Sequence, residues 1–338
     1  MEVDAPDIAG LYERFAAIEA RGSSPVYERL CYAVAEHPGM LKFLATLPLG
    51  KRQPNLLLGA LRLLGADVGD PTAALTLAVE RADELRAVMM SRSTQTNEPA
   101  RCAVLLPALA LLPEPLAVLE VGASAGLCLR YDAYSYDFRD SERGVVHIGA
   151  EAGERDGEAG EWVGDLTIPC ETVGVPLPAR VPRIAARLGL DANPLDAADP
   201  DVACWLRCLV WPEHTERAER LDAALRSAAM DTPRVVRGLA PQDVPAAAAQ
   251  LSAAAPDATL VIVHSAMVAY LETEQRAEFA ATCRALGAHR VGLEGAQPTA
   301  DLGVALPADA IAGRFLLTLD DAVLGHAHPH GRDLVWTA

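Results

Sequence analysis

Residues 117–129, Ala117-Val118-Leu119-Glu120-Val121-Gly122-Ala123-Ser124-Ala125-Gly126-Leu127-Cys128-Leu129, set the class of fold. An apolar run enters a turn of small residues, and the residues after the turn read as a helix start. Glycine lacks the Cβ that would obstruct a ligand and takes positive φ at little cost, so such a turn lets the main chain approach a bound group closely. A helix opening behind it offers unpaired N–H donors to a carboxylate or phosphate. Around this segment, short apolar runs at 116–121, 234–237, 258–264 and 289–294 alternate with alanine-rich amphipathic stretches. That alternation predicts an α/β domain, a mostly parallel sheet covered by helices.

Upstream, apolar residues recur at helical spacing, as in Leu11, Phe15 and Ile18 or Leu56, Ala60 and Leu63, to about residue 112. Gly and Pro interrupt this pattern at 21–25, 37–39 and 65–71, which predicts five or six short helices in an all-helical domain over 1–114. The sheet domain then covers 115–338. Within it, 139–179 breaks the alternation and reads as an inserted flap or hairpin, with β-prone pieces at Gly144–Ile148 and 166–173 and a solvated acidic loop at Glu151–Glu161. The β-type pieces 314–319 and Asp333–Trp336 predict an antiparallel hairpin at a sheet edge.

Composition excludes several classes. The 338 residues are 51% apolar, enough for a sizeable core, and 46 acidic against 29 basic residues give a net charge of −17. No chain-wide cationic field exists to hold a phosphate backbone, so nucleic acid is not an expected partner. The apolar stretch 102–129 is broken by Pro107, Pro113, Glu114 and Pro115, so no membrane span is expected. The acidic start lacks the basic segment of a secretory signal, which predicts a cytoplasmic protein. Seven cysteines fit reduced thiols better than a disulfide framework. Cys204 and Cys208, four apart on a helix without a second pair for zinc, read as core residues. The oligomeric state is left open.

The turn admits three readings. Gly122-Ala123-Ser124-Ala125-Gly126 satisfies the Gly-x-Ser-x-Gly pattern in which Ser124 would be a hydrolase nucleophile. That elbow comes after several strands in its own fold, whereas the residues before this one look helical. The dinucleotide fingerprint Gly-x-Gly-x-x-Gly is broken by Ser124 and Leu127. The third reading is a strand-to-helix turn whose glycines only permit tight packing.

Val118-Leu119-Glu120-Val121-Gly122-Ala123-Ser124-Ala125-Gly126 resembles the first motif of class I S-adenosylmethionine-dependent methyltransferases. The resemblance implies a Rossmann-like sheet with S-adenosylmethionine as cofactor and a small-molecule or peptide acceptor. It puts Gly122, Ser124 and Gly126 under the methionine moiety and Glu120 near its ammonium group. It also asks for an acidic residue ending the second strand, for which Asp191 is the candidate and Asp137 or Asp140 the alternatives. After the third strand an acidic residue is expected near the adenine. The chain has Gly238-Leu239 there, and Asp243 is the nearest carboxylate. Over most of its length the chain is also similar to an uncharacterised bacterial family, DUF2332. The similarity lies in Gln53-Pro54-Asn55, Ser91 through Arg101, Gly189 through Asp196 and Trp205 through Pro212. It brings no established reaction. The same fold without transfer activity, a non-catalytic nucleoside-binding module, is the alternative.

His264 ends the run Thr259–Ser265, and ligands of doubly wound sheets sit at the carboxyl ends of strands, so His264 is a candidate base beside the cofactor. Tyr270 is a candidate for the same cavity. In the polar run Ser91–Asn97, Arg92, Gln95 and Asn97, with the adjoining Glu98, are candidate substrate contacts. Asn97 and Pro99 also read as the N-cap and first turn of the next helix. His326, His328 and His330 would share a face on an extended strand, but Pro329 and Gly331 predict a turn and no metal is expected.

Overall fold

The structure, a computed structural model, describes residues 5–149, 166–308 and 311–338. Among the described residues seven α-helices precede the glycine strand, one or two more than expected: α1 Ala5–Phe15, α2 Pro25–Glu36, α3 Pro38–Ala45, α4 Pro54–Leu63, α5 Pro71–Glu80, α6 Ala82–Ser91 and α7 Arg101–Leu109. After β1 Leu116–Val121 come β2 Ser135–Asp140, β3 Gly144–Ile148, β4 Thr167–Val173 and β5 Ile184–Asp191. Helices α8 Pro200–Leu209 and α9 Thr215–Met230 lead to β6 Val235–Arg237, α10 Val244–Ala254, β7 Thr259–Ser265, α11 Thr273–Ala285, β8 His289–Gly295 and α12 Ala296–Asp301. The last strands are β9 Phe315–Leu319, β10 Ala322–Ala327 and β11 Asp333–Trp336.

The chain divides into two compact units, Met1–Thr96 with Asp199–Asp222, and Asn97–Ala198 with Ala223–Ala338. In unit 1, α2, α3, α4, α5 and α8 all begin with proline. Proline lacks an N–H that would go unpaired at that position, and its fixed φ suits the first turn. Side chains complete the caps: Ser24 accepts Tyr27 N at 3.1 Å and Asp70 accepts Thr72 N at 2.9 Å. Trp211 centres an aromatic group, with Phe15 and Tyr27 at 5.8 Å and His214 stacked at 5.4 Å.

Unit 2 holds an 11-stranded sheet in the order β3-β2-β4-β11-β10-β9-β8-β7-β1-β5-β6. The strands β6, β5, β1, β7 and β8 are mutually parallel. Every residue of β1 is buried, as a central parallel strand covered on both faces requires. One face packs Leu119, Val121, Leu190 and Ile262 against Val244 and Leu251 of α10 and Phe279 of α11. The helix α7, buried along its whole length, contacts β4, β8 and β9.

Three expectations are corrected by this arrangement. No α-helix directly succeeds the glycine turn; two 3-10 turns, Leu127–Leu129 and Tyr131–Ala133, take its place. In an α-helix the Leu127 carbonyl would accept the N–H of residue 131; here it accepts the Tyr134 hydroxyl at 2.8 Å, and the Tyr131 carbonyl accepts that of Tyr136 at 2.7 Å. The tyrosine rings are buried, so their hydroxyls need those partners. Second, the described parts of 139–179 are not a separate flap: β3 and β4 extend the same sheet, and β3 pairs antiparallel with β2 as the expected hairpin. The acidic loop Glu151–Glu161 lies outside the described residues. Third, the terminal hairpin is not at an edge. It comprises β9 and β10, with β11 beyond, and joins β8 to β4 in mid-sheet. Mid-sheet strands hydrogen-bond on both sides, which the local turn pattern does not report.

Candidate functional site

The turn after β1 is built by three residues of positive φ, Gly122 at 82°, Ser124 at 52° and Gly126 at 70°. Left-handed backbone costs a residue with a Cβ about 1–2 kcal/mol, so Ser124 persists only under outside constraint. The constraints are two side chains. Asp191, ending β5, accepts Ser124 N at 2.7 Å with Oδ2 and Asn193 N at 2.7 Å with Oδ1. Asn97 accepts Ala125 N at 3.1 Å and donates to Ser124 Oγ at 2.9 Å. Leu190 O receives Gly122 N at 2.8 Å and Ala123 N at 3.4 Å, and Ala123 O receives Gly126 N at 2.7 Å. All five amides of 122–126 are therefore engaged, and the turn presents no row of free donors to a phosphate.

The close approaches that the glycines permit are used by the protein itself. A Cβ on Gly122 would lie 2.6 Å from Met267 Cγ, and one on Gly126 would lie 2.7 Å from Pro233 Cβ. This is the packing use of the turn. The Ser124 hydroxyl touches Asn97 and no histidine among the described residues, and the Ala125 N–H that would serve an oxyanion is taken. Among the described residues no base stands within hydrogen-bond reach of the Ser124 hydroxyl.

Asn97 does not cap a helix, because α7 starts at Arg101 with Ala100 before it. Its amide instead serves the turn, bonding Ser124 Oγ and Ala125 N. Glu98 is buried and accepts Ala100 N at 3.2 Å. Arg92 and Gln95 belong to unit 1. There Arg92 O accepts Lys51 Nζ at 2.6 Å, Ser93 O accepts Trp205 Nε1 at 3.0 Å, and Gln53 accepts the Thr94 hydroxyl at 3.0 Å. The Asn55 side chain likewise accepts Trp211 Nε1 at 3.1 Å.

Glu120 is 4% exposed on β1, and its Oε2 has no hydrogen-bond partner among the described residues. Burial, then Cys128 and Asp191, push its carboxyl well above the usual glutamate range, against the pull of Arg101. Asp191 ends the strand beside β1, whereas Asp137 and Asp140 sit on β2 near the far edge, paired with His147 and Arg143. Those two alternatives are removed from the turn, because β2 pairs with β3 and β4 rather than β1. Asp243 is exposed before α10 and accepts Leu239 N at 2.8 Å.

His264 is fully buried, with Nδ1 2.9 Å from Glu294 Oε1 and its ring edge-on to Phe279. Burial lowers its pKa, against the upward pull of the Glu294 contact. The same Glu294 oxygen accepts Met267 N at 3.0 Å and Val268 N at 3.2 Å. That bracing holds Ala266 at a φ of 51° just past β7. Tyr270 is 73% exposed and is not a packing aromatic. Sequence reasoning missed Glu294, Met267 and Arg101. Arg101, buried, donates from Nε to Pro329 O at 2.9 Å and from Nη1 to Ser265 O at 3.3 Å. A charged residue opening an otherwise apolar helix was the available signal for Arg101, and the acid closing the run 289–294 was the signal for Glu294.

His326 lies in β10, and His328 and His330 fall in the turn beyond it. Gly331 carries that turn so close to α7 that a Cβ would meet Ala100 O at 2.3 Å. Cys204 and Cys208 are corrected: Cys204 is exposed and Cys208 half-buried, because Trp205 and Leu206 take the inward face of α8. Among the described residues no helix is long and apolar enough to cross a membrane.

The described chain is thus a mixed α/β protein built on one large sheet, mostly parallel around β1, with its polar cluster at strand carboxyl ends. It belongs to a bacterial family of uncharacterised proteins, DUF2332, whose profile matches residues 9–336. No curated protein and no solved structure matches it.

Proposed function

We propose that unit 2 is a Rossmann-like domain that binds S-adenosylmethionine and transfers its methyl group to a small-molecule or peptide acceptor in the cytoplasm. The carrying observation is the order β6-β5-β1-β7-β8, parallel throughout, with the glycine turn and Asp191 at neighbouring carboxyl ends where the winding reverses. Ligands of doubly wound sheets bind at that reversal. The engaged amides of the turn disfavour a pyrophosphate and favour a nucleoside held by carboxylates. The fit rests on Glu120: its buried, unpartnered Oε2 is satisfied by a cationic group, which also restores its charge. Each Asp191 oxygen accepts one N–H and keeps a lone pair for a ribose hydroxyl. Asp243 is the carboxylate assigned to the adenine side, and Asn97 and Glu98 of the same unit are assigned to the acceptor. The sulfonium supplies an activated methyl group, and the protein's contribution is alignment and exclusion of water.

A second reading, a binding module without transfer, is favoured by His264, whose burial and Glu294 bond remove it from solvent, and by Met267 lying on Gly122. Calorimetry with S-adenosylmethionine and S-adenosylhomocysteine tests both. Binding lost in Asp191→Ala supports the site, and methyl release across metabolite pools then separates enzyme from module. Absence of heat with either ligand overturns both readings.

A further inference from the structure

The side chain of Met267 lies across the end of β1. A Cβ on Gly122 would lie 2.6 Å from Met267 Cγ and 2.8 Å from Met267 Cβ, so this side chain fills the space that the glycine leaves open. In the proposed cofactor site the same space belongs to the methionine moiety of the ligand. An unbranched thioether of the protein's own therefore stands where the thioether-bearing tail of S-adenosylhomocysteine would lie. Protein interiors are close-packed, and the two cannot occupy that ground together.

The hydrogen bonds of residues 266–271 decide which part yields. Ala266 N donates to Leu293 O at 3.0 Å, and the amides of Met267 and Val268 donate to Glu294 Oε1 at 3.0 and 3.2 Å. Arg276 donates from Nε to Val268 O at 3.0 Å and to Leu271 O at 2.9 Å, and from Nη2 to Ala269 O at 3.1 Å. Its Nη1 is held by Asp301 at 2.7 Å. Two charged side chains thus fix the main chain between β7 and α11, and charge-assisted hydrogen bonds are the stronger kind. Ala266 takes a left-handed φ of 51° immediately before Met267, a conformation that a residue with a Cβ keeps only where its surroundings impose it. The Met267 side chain, by contrast, is apolar, half-buried and unbranched, and turns about three single bonds. It leaves the crevice by a rotamer change while the loop stands still.

We propose that Met267 is a side-chain gate that sets which nucleosides the site accepts: it fills the tail subsite over Gly122 in the free protein and rotates out as the ligand's amino-acid tail enters. This rests on the S-adenosylmethionine reading of unit 2. Full-length wild type, Met267→Ala and Met267→Leu are titrated calorimetrically with S-adenosylhomocysteine and with adenosine, after circular dichroism confirms that the variants fold. Met267→Ala is expected to bind S-adenosylhomocysteine about tenfold more tightly than wild type, the gain for a site otherwise open about a tenth of the time. Its affinity for adenosine is expected to be unchanged, because adenosine has no tail to reach Gly122. Met267→Leu, of similar volume, is expected to keep the wild-type affinities to within about threefold. In wild type labelled with 13C in its methionine methyl groups, the Met267 signal is assigned by its absence from both variants. It is expected to shift with S-adenosylhomocysteine and to stay in place with adenosine. Wild-type heat without tighter binding in Met267→Ala, an equal gain for adenosine, or a Met267 signal unmoved by bound S-adenosylhomocysteine overturns the gate and leaves the cofactor reading standing. Absence of heat from wild type and Met267→Ala alike overturns both.

Discussion

The carboxylate of Asp191 accepts the main-chain N–H of Ser124 at 2.7 Å, so the end of β5 holds the shape of the turn after β1. Asp191→Ala leaves the Ser124 and Asn193 amides without their partner. Hydrogen bonds to charged groups contribute about 1.5–3 kcal/mol, so urea unfolding is expected to show a loss of that order. Asp191→Asn, which retains one acceptor oxygen, should lose less. An unchanged midpoint in Asp191→Ala would show that the turn holds itself.

The row His264, Gly292 and Thr318 crosses β7, β8 and β9. A Cβ on Gly292 would meet His264 Cε1 and Thr318 Oγ1, each at 2.7 Å. Gly292→Ala is therefore expected to cost about 1–3 kcal/mol through overpacking. Adding Thr318→Ala should recover part of that loss, and strict additivity in the double-mutant cycle would refute the clash.

Two buried groups give opposite pH dependences. The Glu120 pKa is raised in the folded state, so its contribution is whole below the usual glutamate range and is lost as pH rises through the folded value. Glu120→Gln should match wild type in acid and become relatively more stable as pH rises. The His264 pKa is lowered, so its contribution is present above about 6.5 and is lost as pH falls toward the folded value. His264→Gln should flatten that acid limb. Parallel stability curves for wild type and each variant would contradict these assignments.

Tyr270, 73% exposed, supports no packing. Tyr270→Ala is expected to change stability by less than about 0.5 kcal/mol. Any loss of nucleoside affinity in that variant then reports a ligand contact. A lowered melting temperature would show that the ring packs after all.

Ser124 is expected to resist a fluorophosphonate probe, because its hydroxyl meets Asn97 and, among the described residues, no base. Labelling that disappears in Ser124→Ala would restore the hydrolase reading.

Much of the architecture is readable from local pattern. The runs at 116–121, 258–264 and 289–294 are β1, β7 and β8 to within a residue, because buried parallel strands are rich in apolar residues on both faces. The position of Asp191 at the end of the strand beside β1 is legible through the motif resemblance alone. The polar run before α7 reads as a cap, and there local propensity fails. Asn97 has a better partner 28 residues away than at the nearest helix end.

Local sequence dictates where helices start, which strands are buried, and that a tight turn of small residues succeeds β1. Proline sterics, apolar periodicity and the freedom of glycine act within a few residues. Long-range packing settles the rest: the terminal hairpin in mid-sheet, the tyrosine-anchored chain in place of a helix, the removal of His264 from solvent, and the engagement of every amide of the turn. Those outcomes depend on which distant donor or acceptor reaches a buried polar group first, and that competition is resolved only when the whole chain has packed.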